Sequence, residues 1–138
     1  AGSGAIGIEA LSRGASLAVF AEQEAKALDC IRQNLVFTRL ADRGEVLACD
    51  VLTALSRLEH RDMPAFDIIF MDPPYQEKWE RQVLDRLASG PLADADTWII
   101  TEAALDTDFS WTRELGFSVH KEKKYKTNKH IWLRKEQI

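Results

Sequence analysis

The sequence has few of the residues that define disulfide-rich, metal-binding or membrane-spanning proteins. Its two cysteines, Cys30 and Cys49, lack a CxxC spacing and make neither a disulfide framework nor a complete zinc site. No G-x-S-x-G nucleophile motif occurs, and no apolar run approaches the roughly 18 residues that cross a bilayer. We therefore predict a soluble, cytoplasmic protein with reduced cysteines and no metal site. The three scattered histidines are interpreted as surface or packing residues: His60, His120 and His130.

The net charge of −4 hides an uneven distribution. Residues 113–138 carry eight Lys and Arg against three Glu, a net charge of +5, which leaves −9 on residues 1–112. Within this basic end, the segment KEKKYKTNK at 121–129 suits phosphate contacts and base stacking, although lysines also protect a solvated edge hairpin from pairing. The candidate nucleic-acid-binding residues are Lys123, Lys124, Tyr125 and Lys126.

Apolar periodicity predicts alternating helices and strands. Helices are predicted over 5–13, 24–38, 51–58, 76–88 and 109–115. Strands are predicted over 16–21, 45–48, 66–71 and 97–102, followed by a hairpin of 117–125 and 129–134. This order predicts an α/β three-layer sandwich with a mostly parallel sheet and a closing antiparallel hairpin. The length of 138 residues fits a single domain. Because no strand precedes its glycine-rich turn, we expect that domain to be N-terminally truncated.

A glycine-rich turn and two acidic strand ends indicate a cofactor site. The segment GSGAIG at 2–7 matches G-x-G-x-x-G, and Glu22 follows at the spacing of a ribose-binding carboxylate. Asp50 ends the next strand, where it could bond an adenine amino group, cap the following helix, or do both. A plain tight turn and a solvated strand end are the alternatives for the glycines and for Glu22. The predicted cofactor-binding residues are Ala1, Gly2, Ser3, Gly4, Glu22, Gln23, Asp50 and Val51.

The tetrapeptide Asp72-Pro73-Pro74-Tyr75 follows FDIIFM, the strongest predicted strand, whose near-continuous apolar character predicts burial on both faces. An exocyclic amine on a base is a poor nucleophile because its lone pair is delocalised into the ring. Asp72 and the Pro73 carbonyl can accept both amine hydrogens and so favour a pyramidal nitrogen. Tyr75 offers a flat face for an unstacked base. The tetrapeptide predicts methyl transfer to a base amine, with a rigid strand-to-helix turn as the alternative.

Together these segments resemble the RsmD-type methyltransferases, which act on guanine N2 in small-subunit ribosomal RNA. The matching segments are AGSGAIGIEALSRGA at 1–15, Glu22, Cys49-Asp50, FDIIFMDPPY at 66–75 and the closing basic hairpin. The resemblance covers essentially the whole chain. It implies the class I methyltransferase fold, S-adenosylmethionine as methyl donor, and ribosomal RNA as partner, either free or within an assembling small ribosomal subunit.

The resemblance also implies roles for individual residues. Gly2, Ser3 and Gly4 would line the cofactor, Glu22 would hold its ribose and Asp50 its adenine. Residues 72–75 would hold the target base. The sequence departs from the family in lacking the first strand and the basic N-terminal arm.

Two other enzyme classes share parts of this pattern. A NAD-binding oxidoreductase explains the glycine turn and Glu22, but it gives residues 72–75 no role. An adenine-N6 DNA methyltransferase shares the DPPY motif and the mechanism. We expect such an enzyme to carry a dedicated target-recognition segment, for which this sequence has no spare length.

Overall fold

Helices and strands alternate along the chain in the computed structural model, which describes residues 4–72 and 78–136. The chain divides into two units, Ala1–Ser56 and Arg57–Ile138. The first unit contains α1 (Ala5–Ser12), β1 (Ala18–Glu22), α2 (Ala25–Phe37), a 3-10 turn (Ala41–Arg43) and β2 (Gly44–Ala48). Helix α3 (Val51–Glu59) begins in the first unit and ends in the second. The second unit continues with β3 (Ile68–Met71), α4 (Lys78–Ser89), β4 (Trp98–Ala103), a 3-10 helix (Ser110–Leu115), β5 (Phe117–Lys124) and β6 (Lys129–Lys135).

The first unit places two strand ends side by side. Strands β1 and β2 pair in parallel, with Glu22 opposite Ala48 at the carboxyl end. Helices α1 and α2 pack on this pair because their apolar faces meet in one buried cluster. That cluster consists of Leu11, Phe20, Ile31 and Leu35. Since both strands run in the same direction, the residues that follow them leave the sheet at the same edge.

The second unit has a mixed sheet in the order β3-β4-β6-β5. Strands β3 and β4 are parallel, whereas β6 is antiparallel to both of its neighbours, β4 and β5. A bulge interrupts the β5–β6 ladder between Val119 and Lys121. The core of this unit consists of fully buried side chains from α4 and three strands: Val83, Leu84, Leu87, Ile99, Phe117, Ile131 and Leu133.

A buried threonine fixes the start of β3 against β4. The Thr97 hydroxyl, 1% exposed, donates to the Phe66 carbonyl oxygen at 2.6 Å. The same hydroxyl oxygen accepts from the Asp94 N–H at 3.0 Å. The Trp98 N–H then donates to the Asp67 carbonyl at 3.0 Å. These bonds fix the register of β3 against β4, and Asp72 directly follows β3.

The α/β class predicted from the sequence is confirmed, with two local corrections. Strand β3 is not buried on both faces, because Ile68 is 57% exposed and the described residues pair β3 with β4 alone. The short helix predicted at 109–115 is a 3-10 helix over Ser110–Leu115. The three-layer arrangement and the single truncated domain concern the chain as a whole and stay predictions. Over the described ranges, no helix combines the length and apolar character needed to cross a membrane.

Candidate active site

Two glycines shape the start of α1. Gly4 is the N-cap, in the left-handed region at φ 80°, where a Cβ would also lie 3.3 Å from Ile31 Cγ1. Gly7 lies directly on the Phe20 ring, since a Cβ there would come within 2.6 Å of Phe20 Cζ. Close helix–strand packing is the role that the third glycine plays in dinucleotide-binding turns. The other predicted residues of this turn, Ala1, Gly2 and Ser3, lie outside the described residues.

Glu22 is the last residue of β1, and its carboxylate bonds to the backbone of the residues that follow it. Its Oε2 accepts hydrogen bonds from the backbone N–H groups of Gln23 at 3.0 Å and Glu24 at 3.2 Å. Partial burial raises the pKa of the Glu22 carboxyl, and these two N–H groups are among the contacts that lower it, with a net shift below the ordinary value. Glu22 therefore stands as an oriented carboxylate at the sheet edge, with Gln23 beside it.

Asp50 caps helix α3. Its Oδ1 accepts from the Thr53 N–H at 2.8 Å, and its carbonyl accepts from the Ala54 N–H at 3.0 Å. The capping interpretation is therefore confirmed, while contact with an adenine stays a prediction. Val51 is the first residue of α3. Because Glu22 is opposite Ala48 in the β1–β2 ladder, the structure brings Glu22 and Asp50 to the same sheet edge.

Asp72 follows the last residue of β3. Its pKa is raised above the ordinary value, first by burial, then by a hydrogen bond to the Glu102 carboxyl and by the charge of Glu102, while His130 opposes the shift. Two carboxyl groups can share a hydrogen bond only through a proton, because a carboxylate is an acceptor alone. The other residues of the predicted base site, Pro73, Pro74 and Tyr75, lie outside the described residues.

Glu102 and His130 are site residues that the sequence did not single out. His130 Nε2 lies 3.3 Å from Glu102 Oε1, so His130 is part of a carboxyl cluster. The packing interpretation of His130 agrees with its contacts to the Phe70 and Tyr125 rings, and the structure adds a carboxyl partner. The sequence predicted the strands at 97–102 and 129–134 that carry these residues, but it did not predict their register. Register is what sets these two residues side by side.

The lysines of the basic hairpin differ in their exposure to solvent. The Lys123 ammonium lies 5.4 Å from the centre of the Tyr125 ring, and that ring is 44% exposed. Lys124 is exposed, with its ammonium 4.0 Å from Glu122. By contrast, Lys129 is buried and bonded to Glu122 at 3.1 Å. Lys126 lies at the exposed tip with Tyr125. The predicted nucleic-acid-binding residues thus share one exposed end of the hairpin.

Metal binding has no support in the part of the chain that the structure describes. No group of three or more His, Cys, Asp or Glu side chains there could hold a metal ion. Cys30 and Cys49 are both free thiols of intermediate burial. The chemistry available at the site is that of carboxylates, backbone amides, an imidazole and aromatic rings.

Parallel strands that end in acidic residues after a glycine-containing turn are typical of α/β proteins that bind nucleotide cofactors. A family model described as "Conserved hypothetical protein 95" matches residues 1–134. The chain belongs to this family, and its resemblance to the RsmD-type methyltransferases is confirmed.

The relatives agree with this assignment. Ribosomal RNA small subunit methyltransferase D of Escherichia coli strain K12 is 32% identical, over 89% of this chain and 59% of its own length. The protein of the same name from Haemophilus influenzae is 29% identical, over 81% of this chain and 60% of its own length. A solved structure of a conserved hypothetical protein from Streptococcus pyogenes has a TM-score of 0.85 at 29% identity, covering 98% of this chain and 81% of that one. The chain spans between 51% and 60% of the length of the curated relatives it matches.

Proposed function

We propose that this protein transfers a methyl group from S-adenosylmethionine to the exocyclic N2 of a guanine in small-subunit ribosomal RNA. The two units would form one methyltransferase domain with the three-layer class I fold, acting in the cytoplasm. The match of the family model to residues 1–134 supports a single domain. The first unit would bind the cofactor, and the second would bind the base and the RNA.

The residues of the first unit fit the proposed cofactor. When bound, S-adenosylmethionine supplies a methyl group already activated by its sulfonium. Gly4 keeps side-chain atoms away from the turn, and Glu22 and Asp50 place two carboxylates at one sheet edge. A carboxylate is a suitable acceptor for ribose hydroxyls and for an adenine amino group. We assign Glu22, with Gln23, to the ribose and Asp50, with Val51, to the adenine.

The position of Asp72 is the observation that carries the proposal. It stands at the carboxyl end of a parallel strand, where ligands bind in open α/β sheets. Its carboxylate can accept hydrogens from a base amine, which favours the pyramidal nitrogen that attacks a methyl group. Pro73, Pro74 and Tyr75 follow it in sequence and complete the proposed base site. Positioning and oriented dipoles would supply most of the rate enhancement.

The basic hairpin is the proposed RNA contact. Lys123, Lys124 and Lys126 can neutralise phosphates, and the exposed Tyr125 ring can stack on an unpaired base. The local charge of +5 over 113–138 favours a polyanion at this end of an otherwise acidic chain. Ribosomal RNA is proposed over DNA because the matching curated relatives are named ribosomal RNA methyltransferases.

Transfer of labelled methyl groups tests the proposal. The full chain is incubated with labelled S-adenosylmethionine and with ribosomal RNA, isolated small subunits or duplex DNA, and the products are digested to nucleosides. We expect label in N2-methylguanosine from RNA or from subunits. Label in N6-methyladenine of DNA, or no label in any substrate, would overturn it.

Asp72→Ala separates chemistry from cofactor binding. We expect methyl transfer to be lost while S-adenosylhomocysteine still raises the melting temperature, since Asp72 is assigned to the base. Asp67→Ala is the matched control, because this exposed aspartate lies at the opposite end of the same strand region and should leave transfer unchanged. Stabilisation of the wild-type protein by NAD, and not by S-adenosylhomocysteine, would favour the oxidoreductase alternative.

A further inference from the structure

A row of ionisable side chains crosses the sheet of the second unit. Met71 is opposite Thr101 in the last pair of the parallel β3–β4 ladder, and Asp72 and Glu102 directly follow these two residues. Glu102 is opposite His130 on β6, and His130 is opposite Lys123 on β5. Residues opposite one another on neighbouring strands point to the same face of a sheet. The row therefore runs from the proposed base site to the basic hairpin.

Neighbouring members of this row interact. Glu102 raises the pKa of Asp72 through a hydrogen bond and through its charge. His130 Nε2 lies 3.3 Å from Glu102 Oε1. The exposed fraction is 31% for the Glu102 side chain and 23% for that of His130, so solvent screens both only in part.

Two aromatic rings hold the imidazole of His130. The Phe70 ring meets it edge-on at a centroid distance of 5.7 Å, and the Tyr125 ring does so at 4.9 Å. Phe70 lies two residues before Asp72, and Tyr125 belongs to the proposed RNA surface. The imidazole thus has a fixed place between the strand that carries Asp72 and the hairpin.

We propose that Glu102 and His130 are positioning residues for Asp72, with Glu102 orienting the Asp72 carboxyl and His130 orienting Glu102. This inference rests on the methyltransferase function proposed above. Neither residue touches the base; both act through Asp72. An Nε2–H of His130 can donate to Glu102, and Glu102 and Asp72 can share one proton, an arrangement that agrees with the raised pKa of Asp72. One Asp72 oxygen is then held, and the other can face the amine.

The charges of the two residues act on Asp72 in opposite senses. Glu102 raises the pKa of Asp72 through its hydrogen bond and its negative charge, whereas the charge of His130 lowers it. The ionised carboxyl of Asp72 is a stronger acceptor of amine hydrogens than the protonated one. The acid side of the pH–rate profile therefore follows the ionisation of Asp72, and the two neighbours should move it in opposite directions.

Four substitutions in the full chain test the inference through kcat, KM and the pH profile of methyl transfer. Glu102→Ala should lower kcat by about 10- to 100-fold because Asp72 loses its support, with little change in the KM for S-adenosylmethionine. Glu102→Gln should restore much of this loss and shift the acid limb to lower pH. His130→Asn should shift the acid limb to higher pH. Glu114→Gln is the matched control, an exposed glutamate 3.6 Å from Arg81, and should leave the profile unchanged.

A second readout does not depend on turnover. The Asp72 carboxyl can be titrated by carbon NMR in the folded protein, and its midpoint should fall in Glu102→Gln and rise in His130→Asn. His120→Asn is the control for the imidazole, because His120 contacts Ser118 and Trp98, outside this row. Shifts in the same direction in both variants, or none, would overturn the positioning role. A wild-type protein without methyl transfer, but with the expected NMR shifts, would refute the proposed function and leave the coupling intact.

Discussion

Replacing Gly7 by alanine measures how closely α1 lies on β1. The new Cβ would come within 2.6 Å of Phe20 Cζ and closer still to Cε1, a separation that real Cβ atoms do not show. Phe20 is 3% exposed and packed among Leu11, Ile31 and Leu35, so the ring has little room to move. Overpacking of this kind costs about 1–3 kcal/mol, and the close approach here argues for the upper end.

Helix propensity acts against this cost. Alanine is favoured over glycine in a helix by at most about 1 kcal/mol, and Gly7 lies in the first turn of α1. The net expectation is a loss of about 2 kcal/mol in the free energy of unfolding. Equilibrium denaturation in urea measures it for the wild type and for Gly7→Ala. A variant as stable as the wild type would refute the close packing of Gly7 on Phe20.

A double-mutant cycle identifies the cause of the loss. Phe20→Leu removes the ring atoms that the new Cβ would meet, at the expense of a smaller core side chain. The penalty of Gly7→Ala should shrink when Phe20 is already leucine, which gives a coupling free energy between the two sites. Additive effects would place the cost of Gly7→Ala elsewhere, for example in the glycine turn itself.

Three further predictions concern stability. Asp50→Ala should lower stability by about 1 kcal/mol in thermal or chemical unfolding, whereas Asp50→Asn, an equally good helix cap, should not. Because the pKa of Asp72 is raised on folding, its charge destabilises the protein above the ordinary carboxyl pKa. Asp72→Asn should therefore melt at a higher temperature than the wild type at neutral pH, with the difference vanishing in acid; an equal or lower melting temperature at neutral pH would contradict this. Lys135→Met should lower the free energy of unfolding, measured by chemical denaturation, by about 1 kcal/mol, because the Lys135 ammonium donates to the carbonyls of Gly90 and Ala93.

Much of the fold could be predicted because the apolar patterns are local. The periodicity at 24–38 and 97–102 predicted α2 and β4 to within one residue at each end. The burial of β3 could not be predicted in this way, because a continuous apolar run is typical of a central strand. Among the described residues, β3 pairs with β4 alone and exposes Ile68. Burial depends on neighbours that lie far apart in sequence.

Some residues of the candidate site could likewise be predicted from local sequence patterns, and others could not. Gly4, Glu22, Asp50 and Asp72 could be found from the sequence because each follows or precedes a recognisable element. Glu102 and His130 could not, since a glutamate in a strand and a histidine in a basic hairpin are ordinary surface residues until the pairing of β3, β4 and β6 is known.

The register of β6 against β4 keeps His130 and Glu102 on the same face of the sheet. A one-residue slip of β6 against β4 would turn His130 to the other face of the sheet, where it could not reach Glu102. The bulge between Val119 and Lys121 lies on β5, outside the β4–β6 ladder, so it leaves that register intact. The β4–β6 pairing therefore maintains the proposed link between Asp72 and the hairpin that is the proposed RNA contact. Substitutions that shift this pairing should uncouple the ionisation of Asp72 from His130 even where both residues are retained.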